Sequence, residues 1–494
     1  MSNNKTAVIV GAGIGGLATA VFLAKNGYKV DIFEKNSAAG GRCGQLIRDG
    51  YRFDLGATML MMPGIYKDVF ASLGIGLFEN GEVRPLEDLY RIFFDDNGIL
   101  DFSPNREKMK QQLEKIEKGS YIKAEKYVSK GYEIFKLGIS KLIARNFYNF
   151  FQFAQPSNII LLIKLKTYIS NWSYARKFFS SRHLLMAYTF QNIYVGQSPF
   201  TSPALFSMVP AAELKEGSFF LEGGMFRIVE KLLSEAEAQG ARIHYNTAVR
   251  RINVTGPKAD GILLEDGTTI SADIVIANAD LPYVYRELLP DRRKSLRLDR
   301  LRYSCSAIGF HWGLDKTYPQ LGHHNVFLSD HFEEGLDRIF RDKSVSDTPS
   351  FYVHAPCRSD ATAAPAGHDS LSFIVACGHT DKNKKQDFGD IKKRVRRHLI
   401  KRLQQAGLED IEDHIVCEVC YTPESWQTAC NITRGSVFGS VAHNILQMGW
   451  FRPHNRHSRY KNLYFVGGST HPGNGIPNVL ISAKLTSERI LRNV

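Results

Sequence analysis

The stretch Thr6-Ala7-Val8-Ile9-Val10-Gly11-Ala12-Gly13-Ile14-Gly15-Gly16 reads as a β-strand that breaks on glycines and restarts as a helix. In such a unit Gly11 makes the tight turn, Gly13 lets backbone approach a pyrophosphate, and Gly16 lets the helix pack on the strand. Phosphate charge then rests on the N–H groups at the helix N-terminus. The helix stops at Gly27, and Tyr28 to Glu34 alternates as the next strand. Glu34 stands where an acidic side chain takes ribose hydroxyls rather than a 2′-phosphate, which disfavours NADP. Gly40-Gly41-Arg42 follows, and a guanidinium between close-packed glycines reaches the same pyrophosphate from its other side.

Working outward, three blocks of alternating strand and helix signals frame two less regular inserts. The first block runs from Thr6 to about Asp54. The second starts at Glu222-Gly223-Gly224 with a helix carrying Phe226, Val229, Leu232, Leu233 and Ala236. Strands follow at Arg242 to Tyr245, Val249 to Val254 and Gly261 to Leu264, and Asp266-Gly267 turns the chain into a strand from Thr269 to Ile276. This block closes on Ala277-Asn278-Ala279-Asp280, small residues that let backbone come near a ligand. The third block is a strand from Asn462 to Val466, a turn at Gly467-Gly468-Ser469-Thr470 and a helix from Asn478 onward. A chain of 494 residues exceeds the size of a single core. We therefore expect an α/β protein with a Rossmann-like dinucleotide-binding domain assembled from discontinuous segments, 1–99, 221–295 and 446–494. A helical, basic and aromatic subdomain (100–220) and a β-rich substrate domain (296–445) complete it.

Apolar content of 44% and charged content of 23% exclude disorder and fibres. Met1-Ser2-Asn3-Asn4-Lys5 leads straight into the first strand, so no signal peptide is expected and the catalytic part is placed in the cytoplasm. The net charge of +13 asks for an acidic partner. Its location favours an anionic membrane over nucleic acid. From Ile134 to Pro210 there is no Asp or Glu, while Lys136, Lys141, Arg145, Lys164, Lys166, Arg176, Lys177 and Arg182 alternate with large aromatics such as Phe147, Phe150, Phe151, Trp172 and Phe178. The most apolar run, Ile159 to Leu165, is too short to cross a bilayer. Two readings stay open: a surface lying on the membrane, or the core of a helical subdomain with basic outer faces. Lys392 to Arg402, with Ile391, Val395, Leu399 and Leu403 at helical spacing, reads as a solvated helix face.

The remaining chemistry is sparse. Seven scattered cysteines describe no disulfide framework, and Cys417-x-x-Cys420 lies in a strand-like segment with no second ligand pair. His323 and His324 are adjacent, are expected to point to opposite sides of a strand, and make a poor metal pair; no metal is expected. The segment Gly467 to Asn478, dense in glycine and proline before a helix, implies backbone held against something flat with its N–H groups aimed at it, and a flavin fits. Phe53-Asp54-Leu55-Gly56-Ala57-Thr58 lies where a loop passes the far end of the cofactor.

Together the N-terminal fingerprint with Gly40-Gly41-Arg42, Gly223-Gly224-Met225, His354-Ala355-Pro356-Cys357, Trp450 to Arg456 and the closing glycine-rich segment resemble the bacterial and fungal carotenoid desaturases, phytoene desaturase among them. The resemblance implies an FAD enzyme of the amine-oxidase-like flavoproteins, peripheral to a membrane, that passes hydride from a lipophilic polyene to the flavin. It implies reoxidation by a quinone or oxygen. Carried over, Gly11, Gly13, Gly16, Glu34, Gly41 and Arg42 would hold the ADP half, and Val249 would meet the adenine region through its backbone. Thr58 and the segment with Gly467, Gly468, Pro477 and Val479 would line the flavin ring. His471 and Asn474, on that loop, are the catalytic candidates. The chain departs from the family at Leu55, Ala57, Gly468, Ser469, Asn474 and Asn478, beside the expected ring, which leaves the substrate and the number of desaturation steps open. A flavin amine oxidase and a flavin-dependent carotenoid isomerase or binding protein are the alternatives.

Overall fold

In the computed structural model, which describes residues 5–79, 81–289, 291–384 and 386–492, two large sheets, accompanied by three smaller ones, organise the molecule. The lead-in at residues 1–4 lies outside the described residues. The first sheet is parallel and five-stranded, in the order Leu463–Phe465, Ile274–Ala277, β1 (Thr6–Val10), β2 (Lys29–Phe33), Arg242–His244. Ala7, Val8, Ile9 and Val10 are all buried, the continuous apolar run that a strand covered on both faces requires. Between β1 and β2 the helix α1 (Ile14–Lys25) buries Leu17, Ala18, Ala20, Val21 and Leu23. It packs against the helices Arg227–Ala238 and Ile476–Arg492, so all three expected blocks meet at one helix layer.

The expected strand from Thr269 to Ile276 is two strands in two sheets. Thr269–Ser271 pairs antiparallel with Lys258–Leu264, whereas Ile274–Ala277 pairs parallel with β1 in the register Ile9↔Ile276. The apolar run from Ile274 belongs to the buried parallel core, and the polar Thr269-Ile270-Ser271 to a surface ribbon.

The second sheet has seven strands, in the order Ile415–Tyr421, Ser306–Leu314, Asp369–Cys377, Phe351–His354, His324–Leu328, Tyr90–Phe94, Ile99–Phe102. The strand Tyr90–Phe94, grouped by sequence with the first dinucleotide-binding segment, instead pairs parallel with His324–Leu328. Alternation along Ser306–Leu314 splits its two faces. Ile308, Phe310, Trp312 and Leu314 meet Val395, Leu399 and Leu403 of the helix Phe388–Gln405, while Ala307, Gly309 and His311 face a cavity between the sheets.

The basic, aromatic stretch divides between the two readings left open by sequence. Tyr174, Phe179 and Tyr188 are buried around Tyr127 as the core of the helical region. Farther toward the N-terminus of the stretch, Phe151 is 82% exposed, and Ile159, Ile160, Ile163 and Tyr168 are exposed with it. Ring contacts of Phe150 with Trp450 and of Phe153 with Phe451 bring a distant loop, with Leu446 at 72% exposure, onto the same patch. Among the described residues no helix is long and apolar enough to cross a membrane.

Candidate functional site

A cavity of about 550 Å³ runs from the Gly11 turn to the inner face of the seven-stranded sheet. At its polar end Gly11 turns with φ 97°, and Gly13 caps α1 with extended backbone and no side-chain cap. The first N–H groups of a helix lack intrahelical partners, so this terminus is left to a ligand. Gly11, Gly13, Glu34, Gly41, Arg42 and Val249 all line this end. Gly16 does not: a Cβ there would lie 2.4 Å from the Gly11 carbonyl oxygen and 2.8 Å from Asn278 Nδ2. Its part is to let α1 close on the turn, as its place in the fingerprint requires. Glu34 is pinned by backbone, its Oε2 accepting from Ala12 N at 2.8 Å and its Oε1 from Asn36 N at 2.9 Å. The remaining lone pairs of a carboxylate suit ribose hydroxyls.

Asn278 was legible only as part of a small-residue run, yet it holds the turn's shape. Its Nδ2 donates to Gly11 O at 3.0 Å and Gly13 O at 3.3 Å, which joins the end of one parallel strand to the turn after its neighbour. Arg42 donates to Val437 O at 3.0 Å and lies against Gly468, where a Cβ would come within 2.8 Å of its Nη2. The N-terminal guanidinium and the C-terminal glycines therefore form one wall.

Toward the sheet, Thr58, Gly467, Gly468, Asn474, Pro477 and Val479 line the cavity. Thr58 Oγ1 is hydrogen-bonded to Tyr352 Oη at 2.7 Å. Gly467 and Gly475 take φ of 117° and 88°, which explains glycine at both. Asn474 donates through Nδ2 to Phe438 O, and its buried Oδ1 has no partner. The other catalytic candidate is displaced from this wall. His471 turns away from the cavity, its Nε2 3.0 Å from Arg145 O and its ring against Phe147, and burial pulls its pKa down to about 4. A neutral imidazole packed behind the loop has no reacting atoms to touch.

Arg452 has the role on this loop that sequence left unassigned. Fully buried, its guanidinium donates to five carbonyls: Val441, Ala442 and Gln447 on one side, Gly468 and Thr470 on the other. Desolvation lowers its pKa to about 9. A planar fork with five donors is the side chain that can tie two loops of carbonyls together.

Beyond Thr58 the cavity becomes an apolar arm walled by Phe190, Ile193, Tyr194, Val326, Leu328, Phe332, Leu336 and Tyr352. His311 on this wall is neutral, its pKa drawn down to about 4 by burial. Asp54 is buried where Met225 N donates to its Oδ2 at 2.9 Å; burial outweighs the hydrogen bonds and raises its pKa to about 6.

Cys417 and Cys420 lie in the strand Ile415–Tyr421 and are free thiols, as are the other five cysteines. The expectation for the histidine pair is overturned. His323 precedes the strand that His324 begins, so their rings fold together with centroids 4.4 Å apart, and His354 closes a buried group of three.

The cavity fits FAD on three observations: a glycine cradle that Cβ atoms would fill, a helix N-terminus opening on it, and the unpartnered Asn474 oxygen in the opposite wall. The family described as flavin containing amine oxidoreductase matches residues 14–491. The chain is 37% identical over 99% of its length to a phytoene desaturase of Phycomyces blakesleeanus, of which it covers 86%. It is 36% identical over 98% of its length to a zeta-carotene-forming phytoene desaturase of Myxococcus xanthus, covering 93% of that protein. A 4,4'-diapolycopene oxygenase of Methylomonas sp is 31% identical, with 100% and 99% of the two chains covered. Among solved structures, putrescine oxidase bound to putrescine superposes with a TM-score of 0.65 at 15% identity, with 99% of each chain covered, a likeness of fold. The chain belongs to the carotenoid desaturase family within the flavin-containing amine oxidoreductases.

Proposed function

We propose that the protein is an FAD-dependent carotenoid desaturase that removes hydrogen from adjacent carbons of a long acyclic polyene. The carrying observation is the single cavity that joins the dinucleotide cradle to an arm walled by hydrocarbon and aromatic side chains. When bound, FAD supplies the two-electron acceptor. The chain supplies position and a dry wall. Glu34, Arg42 and the α1 N-terminus would hold the ADP half, Arg452 ties the glycine loop at Gly468 and Thr470 to the loop 441–447, and Thr58 with Tyr352 marks where the polar end gives way to the arm. His311, neutral on this wall, sets no charge beside a hydrocarbon substrate. An amine oxidase needs a site for an ammonium group, which Phe190, Ile193, Leu328 and Phe332 do not provide.

The test is anaerobic. FAD-loaded protein mixed with acyclic carotenoids in liposomes is expected to lose its flavin absorbance while the polyene spectrum shifts to longer wavelength. Bleaching by amines instead would establish the oxidase alternative, and a changed polyene with unbleached flavin would establish isomerisation.

The exposed patch around Phe151, Ile160 and Leu446, rimmed by Lys164 and Lys166, supports docking of this face on an anionic membrane, where the substrate resides. Arg176 and Lys177, grouped with these lysines by sequence, border the buried aromatic core instead. Replacing Phe151, Ile160 and Leu446 with Ser is expected to cut co-sedimentation with anionic liposomes about tenfold or more, since each exposed side chain contributes about 1 kcal/mol or more when it enters lipid. Unchanged sedimentation would reject the docking face.

A further inference from the structure

Three buried histidines outside the cavity wall form a cluster of their own. His324 and His354 are cross-strand partners at the ends of the strands His324–Leu328 and Phe351–His354, so their side chains share a face. His323 is folded onto them from the preceding residue, held by the hydrogen bond from Ala355 N to its carbonyl at 2.9 Å. All three are buried, and one ring nitrogen from each lies within 4.8 Å of the others.

Hydrogen bonding alone leaves this group unsatisfied. His323 Nδ1 is 2.8 Å from Ser359 Oγ, and His324 Nδ1 is 2.6 Å from Tyr352 Oη. The Nε2 atoms of His323 and His354 approach to 3.1 Å, which leaves His324 Nε2 and His354 Nδ1 without partners in a fully buried setting. Two histidines whose Nδ1 atoms are fixed by hydroxyls, with Nε2 turned inward, match the outer-shell support of metal-ligating imidazoles. Zn–N bonds of about 2.0–2.1 Å place neighbouring nitrogens of a tetrahedral site roughly 3.4 Å apart, so the group closes on an ion with small ring rotations. The surroundings carry both signs: Arg52 is ion-paired with Asp360, and Arg358 with Asp369. Neither arginine adds an uncompensated charge.

We propose that His323, His324 and His354 bind a divalent transition-metal ion of the zinc type through their ring nitrogens, with water as the fourth ligand. Imidazole donors of this kind suit Zn, Cu, Fe and Ni, and the hard-cation ligands that Ca or Mg would need are missing from the trio. The ion would lie one side chain from the apolar arm, because Tyr352 joins His324 to Thr58 on the cavity wall. Its part would be to hold that wall in place.

The experiment uses the tag-free flavoprotein produced with added Zn2+ or Co2+. Elemental analysis is expected to find about one metal per chain, and the Co2+ form to show the visible ligand-field bands of a tetrahedral site. The His323→Gln/His354→Gln protein, with FAD content as its check on folding, is expected to lose metal at least tenfold. If that variant does not fold, X-ray absorption of the wild-type Zn2+ form decides by its count of imidazole ligands. Wild-type protein with less than a tenth of a metal per chain overturns the proposal, as does an absorption spectrum without histidine ligation, or metal retained in full by the double variant.

Discussion

Arg452 shows how much a single side chain can organise without touching a reacting atom. Its five acceptors come from the loop 441–447 and from the glycine loop at Gly468 and Thr470, so the guanidinium fixes the spacing between them. Arg452→Lys keeps the charge but loses the fork. We expect it to lower stability by about 3 kcal/mol, in the range for breaking a buried charged network, and to release FAD on gel filtration. A variant that melts with wild type and stays yellow would reduce Arg452 to packing. The contrast with Glu34 and Arg42 explains what sequence could reveal at this scale. Those two lie within about thirty residues of the Gly11 turn, at spacings that local geometry dictates. Asn278 acts on carbonyls brought near only by the finished fold, and no spacing rule connects it to a turn 267 residues away. Arg452 lies within 18 residues of all five of its acceptors, but these sit on irregular loops with no periodic pattern to read.

At the level of elements, the helix Met208–Glu216 carries a carboxyl group into the core. Glu213 accepts from Tyr90 Oη at 3.0 Å, Gln191 donates to the same hydroxyl at 2.7 Å, and Glu213 Oε1 has no partner. Desolvation raises its pKa to about 8 from the usual 4.5. Between those values the folded protein keeps a proton that the unfolded chain has released. Stability therefore falls as pH rises through this window, and above it the cost is complete, on the order of a few kcal/mol. Glu213→Gln removes the titration and keeps an acceptor for Tyr90. The wild-type Tm is expected to fall relative to this variant between about pH 5 and about pH 8, and parallel curves would show that Glu213 does not titrate there. Element identity was readable where apolar period was strong, as in the helix at Ile391, Val395 and Leu399. It was misread at Thr269 to Ile276, where one run of β-formers serves two sheets, because pairing partners are a tertiary choice.

Across the whole molecule, segments at Gly11 to Arg42, Thr58, Val249 and Gly467 to Val479 meet around one cavity, the site proposed here for the cofactor. Ligand that binds only the folded form stabilises it by mass action, about 4 kcal/mol at a thousandfold excess over Kd. Deflavinated protein is expected to melt at lower temperature and to recover with FAD but not with FMN, which lacks the half that Glu34 and Arg42 are proposed to hold. Equal rescue by FMN would place the binding energy at the ring instead. The discontinuous α/β plan was legible from three separated blocks. The joining of residues 90–102 to the far sheet was not, since a short hairpin carries no mark of which sheet edge it will meet.

The parallel sheet also imposes an order in time. Its edge strand Leu463–Phe465 and the helix Ile476–Arg492 over α1 are made more than 400 residues after the Gly11 turn. At about 5–20 residues per second, synthesis separates Gly11 from Gly467 by roughly 20–90 s. During that interval the nascent chain carries the turn without the asparagine that shapes it until Asn278 emerges, and without the loop facing Arg42 until the very end. Cofactor capture by both halves of the wall therefore waits for the segment from Gly467 onward, and until then the half-made sheet keeps an open strand edge.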